Sequence, residues 1–172
     1  MMASHNAPPP KLDRPLEVGQ NDWSRRDFYL LMSALIIPRP IGWISTISAS
    51  GIRNLAPYSC FNMMGNDPPY VAFGSTGAKD SLANLREVPE FVVNIASMQM
   101  LEKVNLTATD FPSEEDEFEW AGLNSVSAAK VRPCRVAEAK AHLECQLTQV
   151  VSDRNTHIVL GRVVHAHVDP SV

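Results

Sequence analysis

The eight residues Gly74 to Ser81, Gly-Ser-Thr-Gly-Ala-Lys-Asp-Ser, hold the densest set of groups in the chain that could bind an anion. They follow a short β-branched and aromatic run and precede Leu82-Ala83-Asn84-Leu85-Arg86, a helical pattern closed by Pro89. A loop of small residues that enters a helix offers backbone N–H groups and the positive end of the helix dipole. Lys79 adds a full charge, and Ser75, Thr76 and Ser81 add hydroxyl donors. The spacing is not that of a nucleotide P-loop, G-x-x-x-x-G-K-[ST]. The same residues also describe an ordinary capped helix, with Asp80 or Ser81 as the cap and Lys79 solvated. Residue types alone leave both readings open.

Other reactive types are less well placed. His165 and His167 stand at i and i+2 and share one strand face, so with His157 or Asp169 they could seed a metal site. His157 lies too far along the same strand to converge, and no cysteine or carboxylate stands at ligand spacing. No metal is therefore expected. Cys60 has no histidine near it in sequence and reads as a small buried hydrophobe. Ser59 lacks the G-x-S-x-G elbow. Glu114, Glu115, Asp116 and Glu117 are consecutive, so they splay around a helix and do not form an acid/base pair. No G-x-G-x-x-G fingerprint is present, which argues against a Rossmann domain. No catalytic side chain emerges.

The elements that would position these residues are mostly strands. Pro38-Arg39-Pro40 is a rigid extended step. From Ile41 to Ala49 residues alternate, with Trp43 and Ser45 on one face and Ile44 and Thr46 on the other, as in a strand. Ala49-Ser50-Gly51 is a turn, and Arg53 to Ser59 returns as a second strand that Pro57 marks as an edge or a bulge, not a central ladder. Asn62 to Asp67 reads as an amide-rich loop and Tyr70 to Phe73 as a third strand. Phe91 to Ile95 is a strand, Met98 to Val104 a helical turn, and Ser113 to Trp120 an acidic helix stopped by Gly122. Residues 141–148 and 157–168 form a hairpin turning at Ser152-Asp153-Arg154-Asn155. Before the barrel, Phe28, Leu31, Met32 and Leu35 form one stripe of a helix capped by Ser24.

At 172 residues the chain suits one domain, residues 21–172, after a flexible arm over residues 1–20. A hydrophobic share of 45% fits an ordinary globular core, and a net charge of −4 gives no footprint for nucleic acid or an anionic membrane. Three scattered cysteines argue for a reducing compartment, and no apolar run is long enough to span a bilayer, so a cytoplasmic location is expected.

Four segments, RPIGWIST, NLAPYSCFN, DPPYVAF and AKDSLANLRE, stand in an order and spacing that resemble the flavin reductase-like family with an FMN-binding split barrel. This branch includes flavoredoxin and the reductase components of two-component monooxygenases. The later FVVNI, VNLTATDFP, DEFEWAGL, PCRVAEA, HLECQL and HIVLGRVVHAHVD fit the same pattern, so the resemblance runs from Trp23 to Val168. Each segment alone is weak, whereas the ordered set is specific.

The resemblance implies a mainly β fold with peripheral helices, an FMN-binding split β-barrel. It implies an isoalloxazine site at Trp43, Ser45, Thr46, Asn54, Ala56, Pro57, Tyr58, Ser59, Cys60 and Asn62. It implies a phosphate site at Ser75, Lys79, Asp80 and Ser81, with Arg39 near the phosphate or the ring edge, and so favours the anion reading of Gly74 to Ser81. Ser152 to His157 loosely resembles a Gly-Asp-His motif that seats a nicotinamide, which makes His157 a possible nicotinamide contact. The implied activity is NAD(P)H:FMN reductase, with NADH or NADPH donating hydride to flavin N5; the alternatives are a flavoredoxin-like electron carrier and a non-catalytic flavin-binding module. The implied partners are a second copy in a homodimer, with FMN at the interface, and a flavin-dependent monooxygenase or an electron-transfer protein. Relatives continue beyond the position of Val172, so a C-terminal segment is expected to be missing.

Overall fold

The structure is a computed structural model that describes residues 15–19 and 21–172, so most of the expected arm lies outside the described residues. Contacts divide the chain into two units, Met1–Pro38 and Arg39–Val172. The first unit contains α1, Arg25–Leu35. Ser24 caps it as the sequence indicates, its hydroxyl accepting from the Asp27 N–H at 3.1 Å. None of its residues is buried, and the apolar Tyr29, Leu30, Met32 and Leu35 are exposed.

The second unit is built on strands β1 (Gly42–Ile47), β2 (Arg53–Tyr58), β3 (Phe61–Asn66), β4 (Pro69–Thr76), β5 (Glu90–Ile95), β8 (Ala141–Asp153) and β9 (Thr156–Val168). They form one antiparallel seven-stranded sheet in the order β2-β1-β5-β8-β9-β4-β3. A two-stranded ribbon, β6 (Ser125–Val126) with β7 (Arg135–Val136), stands apart. The helices are α2 (Asp80–Glu87), α3 (Leu101–Leu106) and α4 (Glu117–Trp120).

Side-chain alternation makes two cores from the same strands. Ile44, Tyr58, Val71, Phe73, Phe91, Val93, Cys145 and Val159 project from six strands into one interior, where Leu82 and Leu85 of α2 join them. Trp43 and Leu55 point the other way and are covered by Met100, Val104, Phe118, Val136 and Ala139. The β1 run is therefore buried on both faces. Full burial of Phe73, Phe91 and Phe118 contributes roughly 3 kcal/mol each. Gly161 is needed for close approach, because a Cβ there would stand 2.3 Å from the Phe91 ring.

Four local expectations are corrected. Residues 62–66 are not a loop but belong to edge strand β3, which pairs with β4 through a bulge between Met63 and Gly65. The amide-rich composition hid it, because an edge strand needs backbone partners on one side only. The acidic helix starts at Glu117 and not at Ser113, since Asp116 is its cap, accepting from the Phe118 N–H at 2.9 Å. Neither Asp80 nor Ser81 caps α2; the N-cap position is Lys79, which makes no side-chain cap bond. The final hairpin turns more tightly than expected, with only Arg154 and Asn155 outside the pairing and Arg154 at φ 51°.

Candidate functional site

Two groups of polar residues meet where β1, β2 and β4 approach α2. The first is closed. Asn54 donates to Thr46 Oγ1 at 3.3 Å and to Ser81 Oγ at 2.9 Å, and Asn84 donates to the same Thr46 oxygen at 3.1 Å. Ser45 donates to the Cys134 carbonyl at 2.6 Å, and Asn94 joins Ser45 Oγ, the Trp43 carbonyl and the Val136 N–H. The Trp43 indole N–H donates to Thr107 Oγ1 at 2.8 Å. Trp43 and Ser45 are fully buried, and Thr46 and Asn54 nearly so. Four of the residues the resemblance implies at the flavin ring, Trp43, Ser45, Thr46 and Asn54, thus make internal side-chain hydrogen bonds.

The second group is open. Tyr58 is 7% exposed, and its hydroxyl has no hydrogen-bond partner among the described residues. Burial pushes its pKa up, opposed by the nearby Ser81 and Ser75 hydroxyls and by Lys79. Those hydroxyls lie close enough to the phenol to act on it. Ser75 is buried and makes a long bond, 3.3 Å, to the Gly77 carbonyl. Ser81 Oγ accepts from Asn54, which leaves the Ser81 O–H proton free to donate outward. At the start of α2, Lys79 leaves the first-turn N–H groups without a side-chain cap. The Lys79 ammonium reaches the Asp110 carboxylate at 2.9 Å, and this bond raises the lysine pKa and lowers that of Asp110. Asp80 is half-buried on the first turn.

The remaining implied residues frame this group. Ala56, Pro57 and Ser59 are half-buried, while Cys60 and Asn62 are exposed along the β2–β3 edge. The Asn62 side-chain Oδ1 accepts from the Met63 N–H at 2.8 Å. Arg39, half-buried, opens the second unit. His157 is buried, its Nδ1 2.8 Å from Ser152 Oγ, and it pairs across the sheet with Ser152 on one side and Ser75 on the other. Ser152, His157 and Ser75 therefore form one cross-strand row that ends beside Tyr58. Sequence reasoning missed Asn84, Asn94, Thr107 and Asp110, because their partners are 31 to 64 residues away.

The arrangement suits a doubly charged oxyanion. Three hydroxyls, one ammonium and first-turn N–H groups without a side-chain cap lie together, with two carboxylates nearby: Asp110, paired with Lys79, and Asp80, which acts on both Lys79 and Tyr58. Among the described residues no helix is long and apolar enough to cross a membrane.

Known proteins fit this picture. Residues 32–172 match the profile of the flavin reductase like domain. An uncharacterized protein of Aquifex aeolicus is 38% identical over 149 residues, 84% of this chain and 76% of that one. Component B of nitrilotriacetate monooxygenase from Bacillus cereus superposes with a TM-score of 0.88 at 29% identity, covering 93% of this chain and 84% of that one. A Shewanella frigidimarina structure with a split barrel domain has a TM-score of 0.82 at 19% identity, over 91% and 81% of the two chains, a likeness of fold alone. With most of its length inside the matched profile, the chain belongs to the flavin reductase-like family and has that family's split-barrel fold.

Proposed function

We propose that the chain binds FMN and catalyses its reduction by NADH or NADPH. The observation that carries this reading is the buried, unpartnered Tyr58 hydroxyl beside Ser75, Ser81 and Lys79. A buried hydroxyl without a partner costs about 1–3 kcal/mol, and a phosphate oxygen would remove that cost. Ser75, Tyr58 and Ser81 would donate to the phosphate, Lys79 would supply counter-charge in exchange for Asp110, and Asp80 and Ser81 would present backbone N–H groups. Ala56, Pro57, Ser59, Cys60 and Asn62 would border the ring, with Arg39 at its edge or near the phosphate. Trp43, Ser45, Thr46 and Asn54 hold these groups from behind. When bound, the flavin supplies the redox chemistry, taking a hydride from the nicotinamide, and the protein supplies position and a preorganised field. In this reading His157, which pairs with Ser75 across the sheet, would contact the nicotinamide. No protein acid or base is needed.

The exposed Met63 and Met64 on edge strand β3 support a homodimer with the cofactor near the shared surface. Bacillus cereus component B, by its name one part of a monooxygenase, supports delivery of reduced flavin to a partner oxygenase. The free thiols of Cys60, Cys134 and Cys145 suit a reducing cytoplasm. One observation favours a second reading, an electron carrier with a resident flavin: the ring of His157 is buried and tied to Ser152, which leaves it little surface for a nicotinamide.

Parallel titrations with FMN and riboflavin test the site, since the two ligands differ in the phosphate. FMN should bind tighter by roughly 100-fold, the worth of about two charge-assisted hydrogen bonds. Equal affinities would remove the phosphate site and with it the basis for FMN.

A further inference from the structure

The other end of β9 carries a constellation that the flavin reading does not use. His165 and His167 share a strand face, as their spacing indicates, but the carboxylate judged absent arrives from the neighbouring strand. Glu144 of β8 is the direct cross-strand partner of His165. One donor atom from each of Glu144, His165 and His167 lies within 4.8 Å of the other two. We propose that Glu144, His165 and His167 form a binding site for one divalent transition-metal ion, of which Zn²⁺ is the representative.

Three features distinguish this group from an ordinary ion pair. Glu144 is fully buried, and its carboxylate is aimed by two backbone N–H groups, those of Ala129 at 2.7 Å on Oε1 and of Lys130 at 2.6 Å on Oε2. Such outer contacts are what fix a metal ligand in place. Next, His167 Nε2 is 2.5 Å from Glu144 Oε1, but His165, which that pair does not require, stands with its ring centroid 4.7 Å from that of His167. Two imidazoles on one buried carboxylate exceed what a salt bridge needs. Finally, both histidines are half-buried, so an ion has a path from solvent to a carboxylate that is itself closed to water.

The donor set defines the ion class. Two imidazoles and one carboxylate suit Zn²⁺, Co²⁺, Ni²⁺ or Fe²⁺, while Mg²⁺ and Ca²⁺ prefer oxygen donors throughout. Ligand bonds of about 2.0–2.2 Å bring donor atoms to about 3–3.5 Å from one another, a small rearrangement from the present spacing. Three protein ligands leave at least one position for water. A third imidazole, His142, lies near the group with its Nε2 on the Val136 carbonyl and its ring centroid 6.1 Å from that of His167. Its buried Nδ1 has no partner among the described residues, and it is not one of the three converging groups. Eight residues of strand separate His165 from His157, about 26 Å, so the site does not depend on where flavin binds.

The test uses the full chain, free of any affinity tag, stripped with chelator and dialysed. Co²⁺ is titrated by visible absorption and Zn²⁺ by calorimetry. The expected result is one ion per chain at micromolar affinity or better, with a cobalt spectrum of low coordination number. His165→Ala should weaken binding at least about tenfold while leaving the circular dichroism of the stripped protein unchanged, and His167→Gln should do the same. Glu144 is unsuitable as the first variant, because two backbone N–H groups depend on it. No stoichiometric binding up to millimolar ion, or binding undiminished in His165→Ala, would overturn the proposal and leave Glu144 and His167 as an ion pair that anchors Ala129 and Lys130.

Discussion

Two polar groups of similar composition meet at the start of α2, and they differ in one respect. Around Thr46, Asn54, Asn84 and Asn94 every amide finds a partner inside the protein. Around Tyr58, Ser75 and Ser81 the Tyr58 hydroxyl lacks a well-formed partner among the described residues and Ser75 makes a long bond. A closed network fixes strands to helix. An open one keeps its donors for something that arrives later. Residues of the same type, a few positions apart, thus divide into scaffold and site, and the division is set by whether the hydrogen-bond accounts close locally.

The largest expected effect breaks the closed side. Asn94→Ala would strand the Val136 N–H in the interior and remove the donor to Ser45 Oγ, and stability measured by urea unfolding should fall by about 3 kcal/mol. FMN affinity of the folded fraction should change little. If flavin binding failed while stability held, the two groups would be one.

The open side gives the next effect. Lys79→Ala should weaken FMN by about tenfold, in a salt-dependent way, and leave riboflavin unaffected. Its stability should stay within about 0.5 kcal/mol, because the pair with Asp110 is exposed. Equal loss for both flavins would show that the lysine does not face a phosphate.

Glu117 sharpens the closed side through pH. Its carboxylate accepts from the Leu55 N–H at 3.0 Å, and burial raises its pKa above the ordinary value, with that N–H opposing. A carboxyl whose folded pKa is raised contributes most when protonated, below its unfolded pKa, and loses that contribution as pH rises towards the folded pKa. Glu117→Gln keeps an acceptor for Leu55 without the charge. Its stability relative to the parent should therefore improve as pH rises through and above the ordinary carboxylate range, then level off. Unfolding midpoints on either side of that range check this, and a pH-independent difference would contradict it.

The smallest effect is the most selective. Tyr58→Phe removes a hydroxyl with no internal partner, so the ligand-free protein should be as stable as the parent or slightly more so. FMN should bind about fivefold more weakly, roughly the worth of one hydrogen bond. A clear loss of stability would mean that the hydroxyl has a partner within the protein.

Much of this frame was legible from residues alone. Alternation around Trp43 and Ile44 marked β1, and Pro57 pointed to an edge or a bulge, of which β2 is an edge. What stayed hidden depends on register across strands. The bonds that Asn84 makes to Thr46 and Asn54 to Ser81 appear only when α2 is brought against β1 and β2. Glu144 is more than twenty residues from the histidines it meets, and only the pairing of β8 with β9 puts it opposite His165. Strand β3 was lost in its amides because edge pairing leaves weak periodicity.

The central claim, reduction of a bound flavin, meets its most direct test in one cuvette. The full chain is saturated with FMN under anaerobic conditions, mixed with NADH or NADPH, and the visible flavin band is followed. Rapid bleaching by one nucleotide, slowed in Lys79→Ala when FMN is subsaturating, is the expected result. A flavin that binds tightly yet stays oxidised with both nucleotides would contradict the reductase account and leave the electron carrier in its place.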